Sequence, residues 1–163
     1  MADHYASQVL TASADTPVRE LAALMRGRAI GTVVIVDAER RPVGIVTDRD
    51  LCCRVVARKL DAEAARASGV MSQPLHTASP EEPIDALVAR MLEHGVRRLP
   101  VVRDGRLHGL VSLDDLFVWV SGQLDDLAQA TQAGIETATQ QAQRTARRGR
   151  IRQLAQRVFS AGH

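Results

Sequence analysis

The 163-residue chain is predicted to be α/β (α+β): two tandem repeats, each a short β-sheet flanked by helices, followed by a helical C-terminal extension. Three observations predict this. Gly44-Ile45-Val46-Thr47-Asp48-Arg49-Asp50 ends a strand-like apolar run and opens a helix-like one, with a hydroxyl and a carboxylate three residues apart. Sixty-five positions on, Gly109-Leu110-Val111-Ser112-Leu113-Asp114-Asp115 repeats the glycine, the two aliphatics, the hydroxyl and the final aspartate in order. The flanking sequence repeats as well: Leu75-His76-Thr77, Glu82-Pro83-Ile84, Met91 and Leu99-Pro100-Val101-Val102 each match a segment 66 positions earlier.

Taken in order, residues 9–17 read as a short extended segment leading into a helix. Thr16 is the expected cap, and Pro17 suits the first helical position, where its missing N–H has no intrahelical partner. Val18, Leu21, Ala22, Leu24 and Met25 follow at helical spacing, with an end near Gly27. Thr32-Val33-Val34-Ile35-Val36 is a β-branched run too short for a helix, Asp37 to Arg41 make a turn, and Val43 to Val46 return as a second strand. From Asp48, the spacing of Leu51, Cys52, Val55 and Val56 predicts a helix reaching toward Leu60. A connector over residues 61–71 has some helical character, and the unit then restarts.

The offset falls from 66 to 65 because the first hairpin turn carries one residue more. Turns tolerate such a change and strands do not, which marks a duplication of structural units. Pro100, inside a strand run, belongs at an edge or strand start because it cannot donate to a neighbouring strand. The expected divisions are residues 4–68, 69–121 and 122–163.

Two units closing on Gly-aliphatic-aliphatic-Thr/Ser-x-x-Asp, together with Ser79-Pro80 and His94-Gly95-Val96-Arg97-Arg98-Leu99-Pro100-Val101-Val102, resemble a stand-alone pair of CBS domains (a Bateman module) over roughly residues 4–121. The resemblance implies a pseudo-twofold pair of short sheets packed together. It also implies two clefts between repeats that take adenosine-containing ligands (AMP, ADP, ATP, NAD or S-adenosylmethionine) and further pairing into a disc-like homodimer. The function so implied is that of a regulatory sensor acting on a separate, unidentified protein partner; a cytoplasmic location is the default expectation from the absence of a membrane-span or signal-peptide pattern.

The same residues also have a purely local explanation. Thr47-x-x-Asp50 and Ser112-x-x-Asp115 are capping-box-like helix starts, each worth about 0.5–2 kcal/mol. The two roles are compatible. Gly44 and Gly109 permit close backbone approach of a ligand. Asp50 and Asp115 are the candidate acceptors for ribose hydroxyls, Thr47 and Ser112 the hydroxyl contacts near ribose or phosphate. The matching adenine positions are Thr11, Ile30, Thr77 and Val96. Arg49 is placed to reach phosphate in the first site, whereas its counterpart Asp114 repels it. The sites are therefore expected to be unequal, the Asp50 cleft favouring phosphorylated ligands unless Arg97 or Arg98 compensates.

Composition narrows the remaining classes. A hydrophobic content of 45% supports one compact domain or two small subdomains rather than a disordered chain. Aromatic residues make up only 2%, too few for the stacking platforms of single-strand nucleic-acid binders. No hydrolase, metalloprotease, phosphate-loop or Cys-x-x-Cys pattern is present, so no enzymatic activity is expected. Cys52 and Cys53 have no partner or metal-like spacing to a histidine and are expected to be at least half-buried in a reducing compartment. No apolar run is long enough to span a membrane, and the N-terminus does not read as a signal peptide.

Charge is uneven: residues 1–143 carry a net −4, while Arg144, Arg147, Arg148, Arg150, Arg152 and Arg157 stand without an acid in the last twenty positions. In the extension, Leu124, Leu127, Ala128, Thr131, Ile135, Ala138 and Ala142 keep helical spacing on a narrow face, and Gly134 costs about 1 kcal/mol there. Beyond, Ile151, Leu154, Ala155, Val158 and Phe159 are expected on one side with the arginines opposite. Such an end suits a membrane surface, nucleic acid, an acidic partner or the protein's own dimer. The alternative to a ligand sensor is accordingly a ligand-independent dimeric scaffold working through this helix.

Overall fold

The computed structural model describes the backbone over residues 9–160 and side chains over residues 9–145. Two units divide after Leu116: the repeat pair, and the greater part of the last helix. In chain order the elements are β1 (Thr11–Ala12), α1 (Val18–Arg28), β2 (Thr32–Val36), β3 (Pro42–Thr47), α2 (Asp48–Asp50, continuing as a π-helical turn over Leu51–Val56), α3 (Ala67–Val70), α4 (Ile84–His94), β4 (Arg98–Arg103), β5 (Arg106–Ser112) and α5 (Leu113–Ser160).

The repeat extends to irregularities that sequence does not display. β2 and β3 pair antiparallel with a register shift at Ile35/Val36, and β4 and β5 do so with a shift at Val101/Val102, 66 residues later. Helix α1 ends on Ala29 (φ 53°, ψ 38°) and α4 on its counterpart Gly95 (φ 62°, ψ 29°), both in the left-handed region that lets a helix end and the chain turn into a strand. Partners Val36↔Pro42 and Val102↔Leu107 enclose turns of five and four residues, so the extra residue lies in the first turn.

The repeats differ at their leading segments, and Pro100 is the cause. In the first repeat the Val34 N–H donates to the Leu10 carbonyl at 2.9 Å, and β1 lies parallel to β2. Pro100 replaces Val34 and has no N–H to donate. The second leading segment consequently keeps only an isolated bridge, Ala78 to Val101, and β4–β5 is a two-stranded sheet with Pro100 on its edge strand.

Each repeat has an aliphatic core: Val18, Leu21, Val33, Ile35 and Val46 in the first, Leu87, Leu99, Val101, Val111 and Leu116 in the second. The connector joins the first. The N–H groups of Ala67 and Ser68 donate to the carbonyls of Thr16 and Ala14, and Ala67 and Val70 are buried in the first core. A backbone bond from Leu107 N–H to the Arg40 carbonyl, 2.9 Å, ties the first hairpin turn to the second repeat.

Several expectations need correction. Pro17, not Thr16, is the residue flanking α1, and the Thr16 hydroxyl instead accepts from the Ser13 N–H at 3.1 Å, closing the preceding turn. Cys52 and Cys53 are exposed, as is Val56, and the helix ends at Val56 rather than near Leu60. The reason is the π register: its wider turn sends Leu51 and Val55 inward and carries Cys52 and Val56 off the core-facing side. The last helix, α5, is continuous over 48 residues. The faces expected over residues 151–159, and residues 4–8 of the first division, lie outside the described side chains and residues.

Candidate functional site

Each repeat builds the same small structure where its hairpin meets its last helix. The strand must stop and a helix begin within one residue, leaving the first helical N–H groups without partners, and the hydroxyl–carboxylate pair supplies them. Asp50 N–H donates to Thr47 Oγ1 at 3.2 Å, while Asp50 Oδ2 accepts from Thr47 N–H at 2.8 Å and from Thr47 Oγ1 at 2.7 Å. The corresponding distances at Ser112 and Asp115 are 3.1, 2.8 and 2.6 Å. The loops before β2 and β4 are fastened to these caps: Asp48 N–H donates to the Gly31 carbonyl at 3.1 Å, and Leu113 N–H to the Arg97 carbonyl at 2.9 Å. Ile30 and Val96 each lie one residue before the carbonyl so fastened.

Beyond this shared frame the two sites diverge. Asp50 is largely buried, and its second oxygen, Oδ1, is paired with Arg54 Nη2 at 3.2 Å. Arg54 also donates to the Val70 carbonyl at 2.7 Å and to Ser72 Oγ at 3.0 Å, so it locks α2 to the connector. Asp115 is exposed and its Oδ1 has no partner among the described residues; Trp119 stands where the repeat would place an arginine. This arginine is a functional candidate that the sequence reading missed, because its link to residues 70–72 is not local.

Cross-strand register adds two more. Thr32 lies opposite Thr47, and Arg98 opposite Ser112, so each pair shares a sheet face. Thr32 Oγ1 is buried without a hydrogen-bond partner among the described residues. Arg98, half-buried, has no side-chain partner among them either. Arg97 is exposed and pairs with Asp114 at 3.5 Å, so the acid in the second site does not stand unopposed. Arg49 is exposed with no side-chain partner among the described residues.

The remaining expected residues fall as follows. Gly44 is buried in β3, and a Cβ there would come within 2.8 Å of Met71 Cγ. Gly109 is buried in β5 opposite Val101. Thr11 is exposed on β1, Ile30 is 37% exposed, and Val96 packs half-buried against the second core. The Thr77 carbonyl accepts from Arg90, which is also paired with Glu82 at 2.6 Å. Next to Thr77 and Val96, the rings of His76 and His94 stack 3.6 Å apart at 10°, a contact the sequence did not suggest.

The duplicated caps, the matched bulges and the two small sheets recur in one order, and a family model described as the CBS domain matches the chain at residues 2–56 and 67–122. The chain belongs to the CBS-domain family. It is similar to the CBS domain-containing protein YhcV of Bacillus subtilis, 34% identical over 116 residues that cover 71% of this chain and 81% of that protein. It is also 38% identical over 109 residues to the uncharacterized protein MK0525 of Methanopyrus kandleri, covering 66% of this chain and 56% of that protein's length. Among solved structures, a protein with CBS domains from Burkholderia ambifaria superposes with a TM-score of 0.66 at 32% identity, over 71% of this chain and 84% of that one. The CBS domain pair of protein MJ0100, solved in complex with 5′-methylthioadenosine and S-adenosyl-L-methionine, gives 0.67 at 25% identity, over 75% and 95%.

The second CBS match begins at Ala67, so α3 counts with the second domain by sequence while packing into the core of the first. No helix among the described residues is long and apolar enough to cross a membrane.

Proposed function

We propose that this CBS pair is a non-catalytic regulatory module that binds an adenosine-containing molecule, with the Ser112–Asp115 cleft as its principal site, and acts on a separate partner protein. The observation that carries the reading is the open Oδ1 of Asp115. Its Oδ2 is spent on the helix cap, which leaves Oδ1 to accept from ribose hydroxyls. Arg98, on the same sheet face as Ser112, supplies a positive charge for phosphate, or Arg97 does once drawn from Asp114. Val96, the Thr77 segment and the stacked histidines beside them give adenine a wall.

In the first cleft, a ribose must compete with Arg54 for Asp50 Oδ1. The unpartnered Thr32 hydroxyl opposite Thr47 favours a polar ligand atom there, and Arg49 remains its candidate phosphate contact. The expectation that phosphate prefers the Asp50 cleft rested on Arg49 facing the first site and Asp114 the second, unless Arg97 or Arg98 compensates. The Arg97–Asp114 pair offsets the acid, and together with the open Asp115 Oδ1 and Arg98, unpaired among the described residues, it supports reading the second cleft as the principal one. The ligand pair in MJ0100 supports the adenosine class, and AMP, ADP, ATP, NAD and S-adenosylmethionine are the candidates.

Calorimetry with these five compounds and 5′-methylthioadenosine, on the native chain and on Asp115→Ala, tests the reading. Losing a charge-assisted hydrogen bond should weaken binding by about 1.5–3 kcal/mol, roughly tenfold to a hundredfold. Affinity unchanged in Asp115→Ala but lost in Asp50→Ala would overturn the choice of cleft, and no binding of any of the six compounds by the native chain would overturn the ligand class.

A further inference from the structure

We propose that α5 is a self-association element: it pairs antiparallel with α5 of a second copy of this chain along Leu124, Leu127, Thr131, Ile135, Ala138 and Ala142. The inference is independent of the adenosine reading and concerns α5 alone.

These residues recur three or four apart and so share one face of the helix. On a single chain Leu124 is 64% exposed, Leu127 67% and Ile135 62%, an apolar stripe that water covers poorly. The polar members of the face are already satisfied: Thr131 Oγ1 donates to the Leu127 carbonyl at 2.8 Å and Thr145 Oγ1 to the Gln141 carbonyl at 2.9 Å. Removing water from the stripe therefore orphans no hydroxyl, which is the cost that ordinarily keeps threonine out of a helix contact.

Size and charge together choose the partner and its direction. Apart from Ile135 beside the centre, the large side chains lie in the first half of the stripe and the small ones in the second. An antiparallel pair centred between Gly134 and Ile135 sets Leu127 of one copy against Ala142 of the other, Leu124 against Thr145, Thr131 against Ala138 and Ile135 against Gly134. Each rung then joins a larger residue to a smaller one, so two straight helices can approach along their whole contact.

The same register places Asp125 of one copy level with Arg144 of the other, with Asp126 beside it and Arg147 and Arg148 about one turn further on, twice by symmetry. A parallel pair would instead bring together two arginine-rich ends, six arginines each and no acid. Its rungs would stack leucine on leucine at one end and leave alanine facing alanine at the other.

Disulfide mapping on the full chain tests this. Cys52 and Cys53 are exposed and free and are first replaced by serine. In that background Gly134→Cys should cross-link to itself under mild oxidation, whereas Leu127→Cys and Ala142→Cys should each fail alone yet form a mixed disulfide when co-expressed. Leu127→Gln with Ile135→Gln, which keeps good helix formers, should lower the Gly134→Cys cross-link at least tenfold at unchanged helicity by circular dichroism. Efficient self-cross-linking of Leu127→Cys alone would show a parallel pair and overturn the proposal. So would absence of every cross-link, or cross-links that arise only on adding DNA or anionic vesicles.

Discussion

Replacing Asp50 and Asp115 by alanine, one at a time, should give unequal losses of folding stability although the two residues hold identical places in the repeat. Both changes abolish a capping box, which costs about 0.5–2 kcal/mol. At Asp115 the cost stops there, because its second oxygen has no partner among the described residues. At Asp50 the change also takes away the partner of Arg54, a guanidinium held in place by Val70 and Ser72. A charge-assisted bond of this type is worth about 1.5–3 kcal/mol when buried. With the Arg54 side chain 34% exposed and that of Asp50 13% exposed, solvent screening reduces it to about 1 kcal/mol.

The expected losses are thus about 2 kcal/mol for Asp50→Ala and about 1 kcal/mol for Asp115→Ala. Urea unfolding of the two variants and of Arg54→Gln, alone and combined with Asp50→Ala, measures both the difference and its source. The Asp50–Arg54 coupling energy should come to about 1 kcal/mol. Equal losses for the two aspartates, or a coupling energy near zero, would refute the assignment of Arg54 as a lock and with it the argument that the first cleft is the less open.

Two further outcomes follow from the same geometry. Gly44→Ala should destabilise the chain by about 1–3 kcal/mol through overpacking against Met71, and Met71→Ala in combination should recover part of that loss in a urea double-mutant cycle. Asp37 is held below the usual carboxylate range, first by its side-chain bond from Arg41 and then by the Arg41 backbone N–H. Its stabilising contribution is therefore present above the unperturbed value of 3.8 and lost as pH falls through the lowered one. The stability difference between the native chain and Asp37→Asn, followed by urea melts from neutral to acid pH, should hold above that value and close below it; a difference that grows on acidification would contradict the sign.

Much of this architecture was legible because duplication tests itself. One strand pattern such as Thr32–Val36 is weak alone, but the same pattern at one offset with a slip confined to a turn is not. The readings that failed did so where local spacing met a non-local constraint. Cys52 looked inward on a 3.6-residue period, and the π turn altered the period. Thr16 looked like a cap, yet its hydroxyl closes the turn with Ser13. The capping pairs themselves could be read directly, since their partners lie three residues apart. Arg54, Thr32 and Arg98 could not: their importance depends on the connector passing near α2 and on strand register, both products of tertiary packing.

The proposed double employment of the aspartates, as helix caps and as ligand acceptors, has an evolutionary consequence. A carboxylate that starts a helix is selected for folding whether or not a metabolite ever arrives, so drift cannot easily erase it. A descendant of such a chain can stop sensing and still carry the motif intact. Thr32 and Arg98, which start no helix, are free to change when the cleft falls idle. In comparing descendants, a history of use is written at those two positions rather than at the aspartates.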